Sequence, residues 1–244
     1  MHARSIGSVA ALSGVAYVLA VRLLFRRWGT QADEVRRALP GDELVKDPRW
    51  SLNHAITIDA PPSAVWPWLV QIGYQRGGLY SYDLLDRWAG ILDAPSADVV
   101  LPEFQQLNVG DVIPLGAGPN WPVAAVEPER ALVLAPVAPG MEISWAFVLD
   151  PLPGGRTRLQ TRVRANYPAG IGSALMMTLM DPAAFLMTRK MLLGIAARSE
   201  RLANARQSSD ISNRSISLQP AHASPQPPTG GMAEAPAADL RHSA

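Results

Sequence analysis

Between Ile56 and Asp86 the chain reads ITIDAPPSAVWPWLVQIGYQRGGLYSYDLLD, a strand, a proline-started helix and an aromatic glycine loop joined without a spacer. Few folds accommodate that order. Alternation at Leu52, His54, Ile56 and Ile58 turns one side of the strand inward. Pro61 and Pro62 then stand where a helix begins without wasting backbone donors. Val65, Trp66, Trp68, Leu69 and Ile72 give this helix a wide apolar face, and Gly73 supplies a stop. Pro67 inside it removes a backbone hydrogen bond.

The rest of the chain divides by composition into four parts. Residues 1–27 carry an N-terminal segment with no charge from Ser5 to Val21, about 17 positions, at the short end of what spans a bilayer. Leu23, Leu24 and Phe25 extend the run past Arg22, whose side chain is expected to snorkel to headgroups. A membrane anchor over residues 5–25 is the expected reading; a cleaved signal peptide and a helix packed on the domain are the alternatives. The arginines after the segment outnumber Arg4 before it, so the positive-inside rule places a single-pass chain in the cell membrane with its main domain in the cytoplasm. Residues 28–48 read as a charged connector with one short helix and a Pro40-Gly41 turn.

Residues 49–206 form the expected domain. A second short helix falls near Ser81–Ala89, with Asp83 and Asp86 at N-cap and N3 spacing. Strands follow at Val109–Leu115, Pro122–Val126, Ala131–Pro136, Glu142–Pro151 and Thr157–Tyr167, separated by proline and glycine turns. In the last of these, Arg158, Gln160, Arg162 and Arg164 alternate with Leu159, Thr161, Val163 and Ala165. That row reads as a solvated face, with contact to an anionic headgroup as the alternative. A long closing helix is expected to start with Asp181 as its cap and Pro182 in its first turn. The apolar stretch Gly170–Met180 ahead of it is a lid, a membrane-touching segment or a buried turn against the sheet. Residues 207–244, rich in Ser, Pro, Ala and Gln, are expected to be disordered.

Composition narrows the function. Hydrophobic residues make up 48% of the 244, enough for a core, and the formal net charge of +1 with no basic stripe argues against a nucleic-acid partner. Cysteine is absent, which removes thiolate nucleophiles and cysteine metal sites. His54 is the single histidine of the domain, so neither a histidine metal site nor a serine triad is expected, and no phosphate-loop or nucleophile-elbow motif occurs. No metal or cofactor is expected.

Several segments together carry a family resemblance: PGDELV at Pro40–Val45, ITIDAPPSAVWPWLVQIG at Ile56–Gly73, RGGLYSYD at Arg76–Asp83, VGD at Val109–Asp111, EPERALVL at Glu127–Leu134 and MLLGI at Met191–Ile195. The chain resembles the START-like SRPBCC superfamily, in the bacterial branch named for polyketide cyclase/dehydrase and lipid transport. The resemblance implies an α+β helix-grip (START/Bet v 1-like) fold, a curved antiparallel sheet around a long C-terminal helix, with an elongated apolar cavity between them. The superfamily has no universal catalytic residue, so none is carried over.

The expected cavity lining is His54, Trp68, Tyr80, Tyr82, Trp145, Phe147, Thr161, Met187 and Met191. His54 is either a satisfied core histidine or a polar group at the cavity end. Tyr80, Tyr82 and Asp83 are the candidates for chemistry: they orient a carbonyl and move a proton if burial raises the carboxyl pKa. The alternative is that Asp83 caps a helix while the tyrosines pack. The function these features imply is membrane-tethered binding of a hydrophobic small molecule such as a lipid, isoprenoid or polyketide-like compound. A cyclase/dehydrase-type enzyme and a ligand-free structural domain are the other readings, and the oligomeric state is left open.

Overall fold

The computed structural model describes residues 21–217 apart from Pro119, Pro136 and Pro139. The expected anchor up to residue 20, and the tail beyond 217, lie outside the described residues. Two compact units divide at Gln207. The first contains α1 (Ala32–Arg36), β1 (Trp50–Ile58), α2 (Pro62–Val70), α3 (Asp83–Trp88), β2 (Val112–Ile113), β3 (Trp121–Glu127), β4 (Ala131–Leu134), β5 (Val137–Ala138), β6 (Met141–Leu152) and β7 (Arg156–Asn166), and then α4 (Ile171–Ser217) as far as Gln207. One 3-10 turn, Asp42–Leu44, precedes β1 and another, Pro102–Phe104, precedes β2. In the second unit, residues 208–217 are helical, where no regular structure is expected from composition. No proline or glycine interrupts Gln207–Ser217, so nothing within those residues breaks the helix.

The seven strands pair in the order β1-β7-β6-β4-β3-β2, with β5 added on β6, and every pairing is antiparallel. Register sorts the side chains. His54 lies opposite Thr161, Thr161 opposite Phe147 and Phe147 opposite Leu132, so these four form one row across the inner face. Asn53, Arg162 and Ala146 form the neighbouring row on the outer face. Helix α4 packs Met191, Leu192 and Ile195 into the inner-face core with Ile58, Leu149, Leu159 and, from α2, Trp68 and Leu69. The molecule is therefore α+β, an antiparallel sheet closed by a long C-terminal helix in the helix-grip arrangement.

Helix α4 starts at Ile171, ten residues before the expected cap, and Pro182 lies inside it. Asp181 does not cap. Its carboxylate is buried to 1% exposure, accepting hydrogen bonds from Arg22 Nε at 3.1 Å, Arg26 Nε at 3.0 Å and Trp50 Nε1 at 2.7 Å. Arg22 thus turns to the protein rather than snorkelling, because a buried carboxylate repays the loss of its hydration only with cationic partners. The stretch ahead of Asp181 is not a buried turn either: Ile171, Leu175, Met176, Leu179 and Met180 are all exposed. The span Ile171–Ser212 is long and apolar enough to cross a membrane, with mean hydropathy 1.3 in its most apolar window, 6% of which is buried.

The arginine row on β7 is not a solvated face. Residues 28–48 round the free edge of β1, where the Trp28 carbonyl accepts from Ala55 N–H, and then cross the outer face. Arg162, 5% exposed, donates to the carbonyls of Glu34, Val35 and Arg37 at 2.9–3.0 Å and to Asp42 Oδ2 at 2.6 Å. Those carbonyls sit at the end of α1, where a helix leaves acceptors unpaired and favours cations. Arg158 grips both oxygens of Glu34, which holds that carboxyl below the usual carboxylate range. Gly41 adopts φ +89°, and a Cβ there would meet Val133 Cγ1 at 2.6 Å, so glycine is what lets the connector lie flat on the sheet.

This cover has a measurable energy. Asp42→Ala leaves the buried Arg162 without its carboxylate and lowers unfolding stability by about 3 kcal/mol. Asp150→Ala removes a half-exposed partner of Arg37 and costs under about 1 kcal/mol. Urea denaturation of the two variants side by side tests the difference.

Candidate functional site

The inner face of the sheet carries an aromatic cluster. Trp145 on β6 stands 4.8 Å from Trp121 on β3 and 4.8 Å from Phe147, ring centre to ring centre. Trp145 Nε1 donates to Thr161 Oγ1 at 2.7 Å, and that hydroxyl donates in turn to the Ala146 carbonyl at 3.0 Å. On the helical side, Trp68 meets Tyr80 edge to face at 6.0 Å. Trp68, Tyr80, Phe147 and Met191 belong to one buried cluster, with Trp121 and Trp145 packed against it. Five of the expected lining residues, with Thr161 beneath them, are thus brought together. Trp121 completes the group; its strand is legible in sequence, but it stands in a Pro-Asn-Trp-Pro turn that gives no phase.

Three expected residues stand apart. His54 is enclosed by Phe25, Trp28 and Phe185, and its Nε2 donates to the Phe25 carbonyl at 2.6 Å. Burial, outweighing that bond, pushes its pKa down from 6.5 to about 4, so the ring is neutral near pH 7. His54 therefore anchors to β1 the end of an N-terminal helix, described over residues 21–26. Tyr82 is 37% exposed, with Lys190 Nζ 5.9 Å from its ring centre, and Met187 is half-buried.

The three chemistry candidates face different surroundings. Tyr80 is buried in a left-handed conformation, φ +57°, with Arg198 4.9 Å from its ring centre. Its backbone N–H donates to Ser96 Oγ at 2.9 Å, and burial raises its phenol pKa. Asp83 is the first residue of α3 and not its cap: it accepts from Ser96 N–H at 3.0 Å and Ser96 Oγ at 2.6 Å, latching one loop to another. The carboxyl with a raised pKa is Asp86, fully buried, where desolvation outweighs the hydrogen bond from Ser81 Oγ. Asp86 escapes a reading by residue type because α3 is inverted, with Leu84, Leu85 and Trp88 exposed and the acid inside. That inversion is itself the missing signal, an acid on the same short helix as Leu84, Leu85 and Trp88 but on the opposite side.

Trp68 Nε1, Trp121 Nε1, His54 Nδ1 and, beside α3, Asp86 Oδ1 are buried without a hydrogen-bond partner, whereas Tyr80 Oη has the Gln71 side chain as a partner. Each such atom costs about 1–3 kcal/mol unless something pairs with it. Among the described residues no cluster of His, Asp and Glu has the make-up of a metal site. Chemically the arrangement suits an apolar or aromatic molecule bearing an oxygen that accepts from indole donors.

No family model matches the sequence, and no curated protein does. Among solved structures the chain is similar to the protein MLL2253 of Mesorhizobium loti, with 17% identity, coverage of 62% of this chain and 98% of that one, and a TM-score of 0.37. It is similar to NE0264 of Nitrosomonas europaea at 16% identity, 62% and 94% coverage and TM-score 0.38. CalU16 of Micromonospora echinospora shares 18% identity over 63% of this chain and 86% of its own, TM-score 0.31. Similarity at this level carries nothing on function, and the helix-grip assignment rests on this chain's own element order and packing.

Two outcomes follow for stability. The depressed His54 pKa means the unfolded chain binds the extra proton first as pH falls, so stability present above pH 6.5 is lost between 6.5 and about 4, by about 3 kcal/mol. Asp86 acts in the opposite sense, losing stability as pH rises through its raised pKa, so the comparison of wild type with His54→Gln isolates the histidine. The variant's stability curve is flatter across that window. Gly194→Ala, a change that ordinarily strengthens a helix by about 1 kcal/mol, instead weakens the fold by about 2 kcal/mol. The added Cβ would lie 2.3 Å from the Tyr80 carbonyl oxygen, which only a shift of α4 or the loop relieves. Thermal unfolding of that variant reads the sign directly.

Proposed function

We propose that this chain is a membrane-tethered member of the START-like SRPBCC group that binds a hydrophobic small molecule between the inner face of its sheet and α4. The supporting observation is the pair of unpartnered indole donors, Trp68 Nε1 and Trp121 Nε1, within an otherwise apolar aromatic cluster. A lipid, isoprenoid or polyketide-like molecule supplies both the apolar bulk and the oxygen those donors lack. The exposed apolar side chains of Ile171, Leu175, Met176, Leu179 and Met180, together with an anchor over residues 5–25, hold the domain at the bilayer, on its cytoplasmic side, where such cargo is concentrated.

A second reading, an enzyme of the cyclase/dehydrase type, is favoured by Asp86, a buried carboxyl with a raised pKa at the Tyr80 loop. Under that reading Asp86→Asn binds substrate normally and turns none over.

Native mass spectrometry of the full-length protein, extracted from its membrane in mild detergent, is expected to show a retained hydrophobic molecule. Trp68→Phe and Trp121→Phe are each expected to weaken its binding about fivefold, the value of one hydrogen bond of about 1 kcal/mol, with unchanged circular dichroism. An empty protein that also ignores lipid, isoprenoid and aromatic polyketide probes belongs instead to the ligand-free structural class.

A further inference from the structure

A concentration of arginines lies on the opposite face of the sheet from the aromatic cluster. A cavity of about 620 Å³ opens between β1, β7, the connector and the end of the N-terminal helix. Seven arginines line it, Arg26, Arg27, Arg36, Arg37, Arg49, Arg162 and Arg164, against a single acidic residue, Asp42. Three carboxylates are bonded to this set. Asp181 takes Arg26 and also Arg22, Asp150 takes Arg37, and Asp42 is shared between Arg162 and Arg164. Among the described residues no carboxylate lies at ion-pair distance from Arg27, Arg36 or Arg49, whose side chains are exposed at the rim.

The cavity floor carries a further unmet need. Arg164 Nε is buried and has no hydrogen-bond partner, although its Nη1 is 3.0 Å from Asp42 Oδ1. Like charges crowd one another here without enough counter-charge, at a cost that a bound anion would remove. Guanidinium groups match the oxygens of a phosphate in pairs, and a cavity of this volume is the size of a small-ligand site. Apolar Leu23 shares the wall with Arg26 and Arg27, so the opening lies where the expected membrane segment enters the domain.

We propose that this outer-face cavity is a binding site for a phosphate-bearing anion, separate from the inner-face ligand site and independent of it. The anion is either the headgroup of an anionic lipid or a soluble phosphate ester. Phosphorus chemistry is common to both, and two arms of one experiment distinguish them.

Full-length protein is placed in phosphatidylcholine nanodiscs and titrated with inorganic pyrophosphate, followed by phosphorus NMR line broadening. In the second arm the nanodiscs contain phosphatidic acid, and broadening of its headgroup resonance is read. Binding in either arm is expected, weakening as salt rises. The combined Arg27→Gln, Arg36→Gln and Arg49→Gln variant is expected to bind roughly tenfold more weakly, and Arg36→Gln alone keeps the test open if the triple variant misfolds. Arg130→Gln, on the β3–β4 turn, is expected to bind as wild type. Pyrophosphate binding alone identifies a soluble phosphate ester, and broadening of phosphatidic acid alone identifies a headgroup. No binding in either arm overturns the proposal, as does an equal loss in Arg130→Gln. Because pyrophosphate does not enter an apolar cluster, these results are independent of whether the inner face binds a ligand.

Discussion

The buried carboxylate of Asp181 organises the junction on which the rest of the first unit depends. It sits within the long helix α4, and it brings Arg22 and Arg26 of the incoming helix and Trp50 of β1 to one point. A carboxylate at 1% exposure is tolerated only with such partners, so three elements distant in sequence are tied by one group. Once they are tied, Phe25 stacks on Phe185 at 4.9 Å and its carbonyl reaches His54. The chain leaving that junction has one short route, around the free edge of β1 and over the outer face of the sheet.

That route separates the two faces chemically. The inner face, closed by α2 and α4, collects Trp68, Tyr80, Trp121, Trp145 and Phe147, and its unpaired groups are the neutral indole donors of Trp68 and Trp121 and the ring nitrogen of His54. The outer face, closed by the connector, collects guanidinium groups paired with carbonyls and a few carboxylates. A single period-two pattern along β7 feeds both, with Thr161 and Leu159 on one side and Arg162 and Gln160 on the other. Apolar chemistry and anion chemistry are thus built one residue apart and kept apart by the thickness of a sheet.

Much of the framework is legible in the sequence. β4, β6 and β7 lie within a few residues of where alternation and proline or glycine turns place them, because strand pairing and turn geometry are local in sequence. The start of α2 at Pro62 likewise follows from fixed proline dihedrals. The failures share a cause. Asp181-Pro182 carries the local pattern of a helix start, and the arginines of β7 carry the pattern of a wet strand face. In both cases the polar group is satisfied by a residue more than a hundred positions away, which no window of sequence contains. Asp86 belongs with them: its burial depends on which side of a six-residue helix meets the body, and α3 presents its apolar side outward.

From its sequence alone this chain is committed to an antiparallel sheet with a wide apolar side and a long closing helix, since periodicity and turn residues act through neighbouring bonds. Tertiary structure decided what each polar side chain was for. It made His54 an anchor, Asp83 a latch between loops and the β7 arginines the floor of a cavity, because hydrogen bonding and charge pairing in a low-dielectric interior depend on distances that only the folded chain creates.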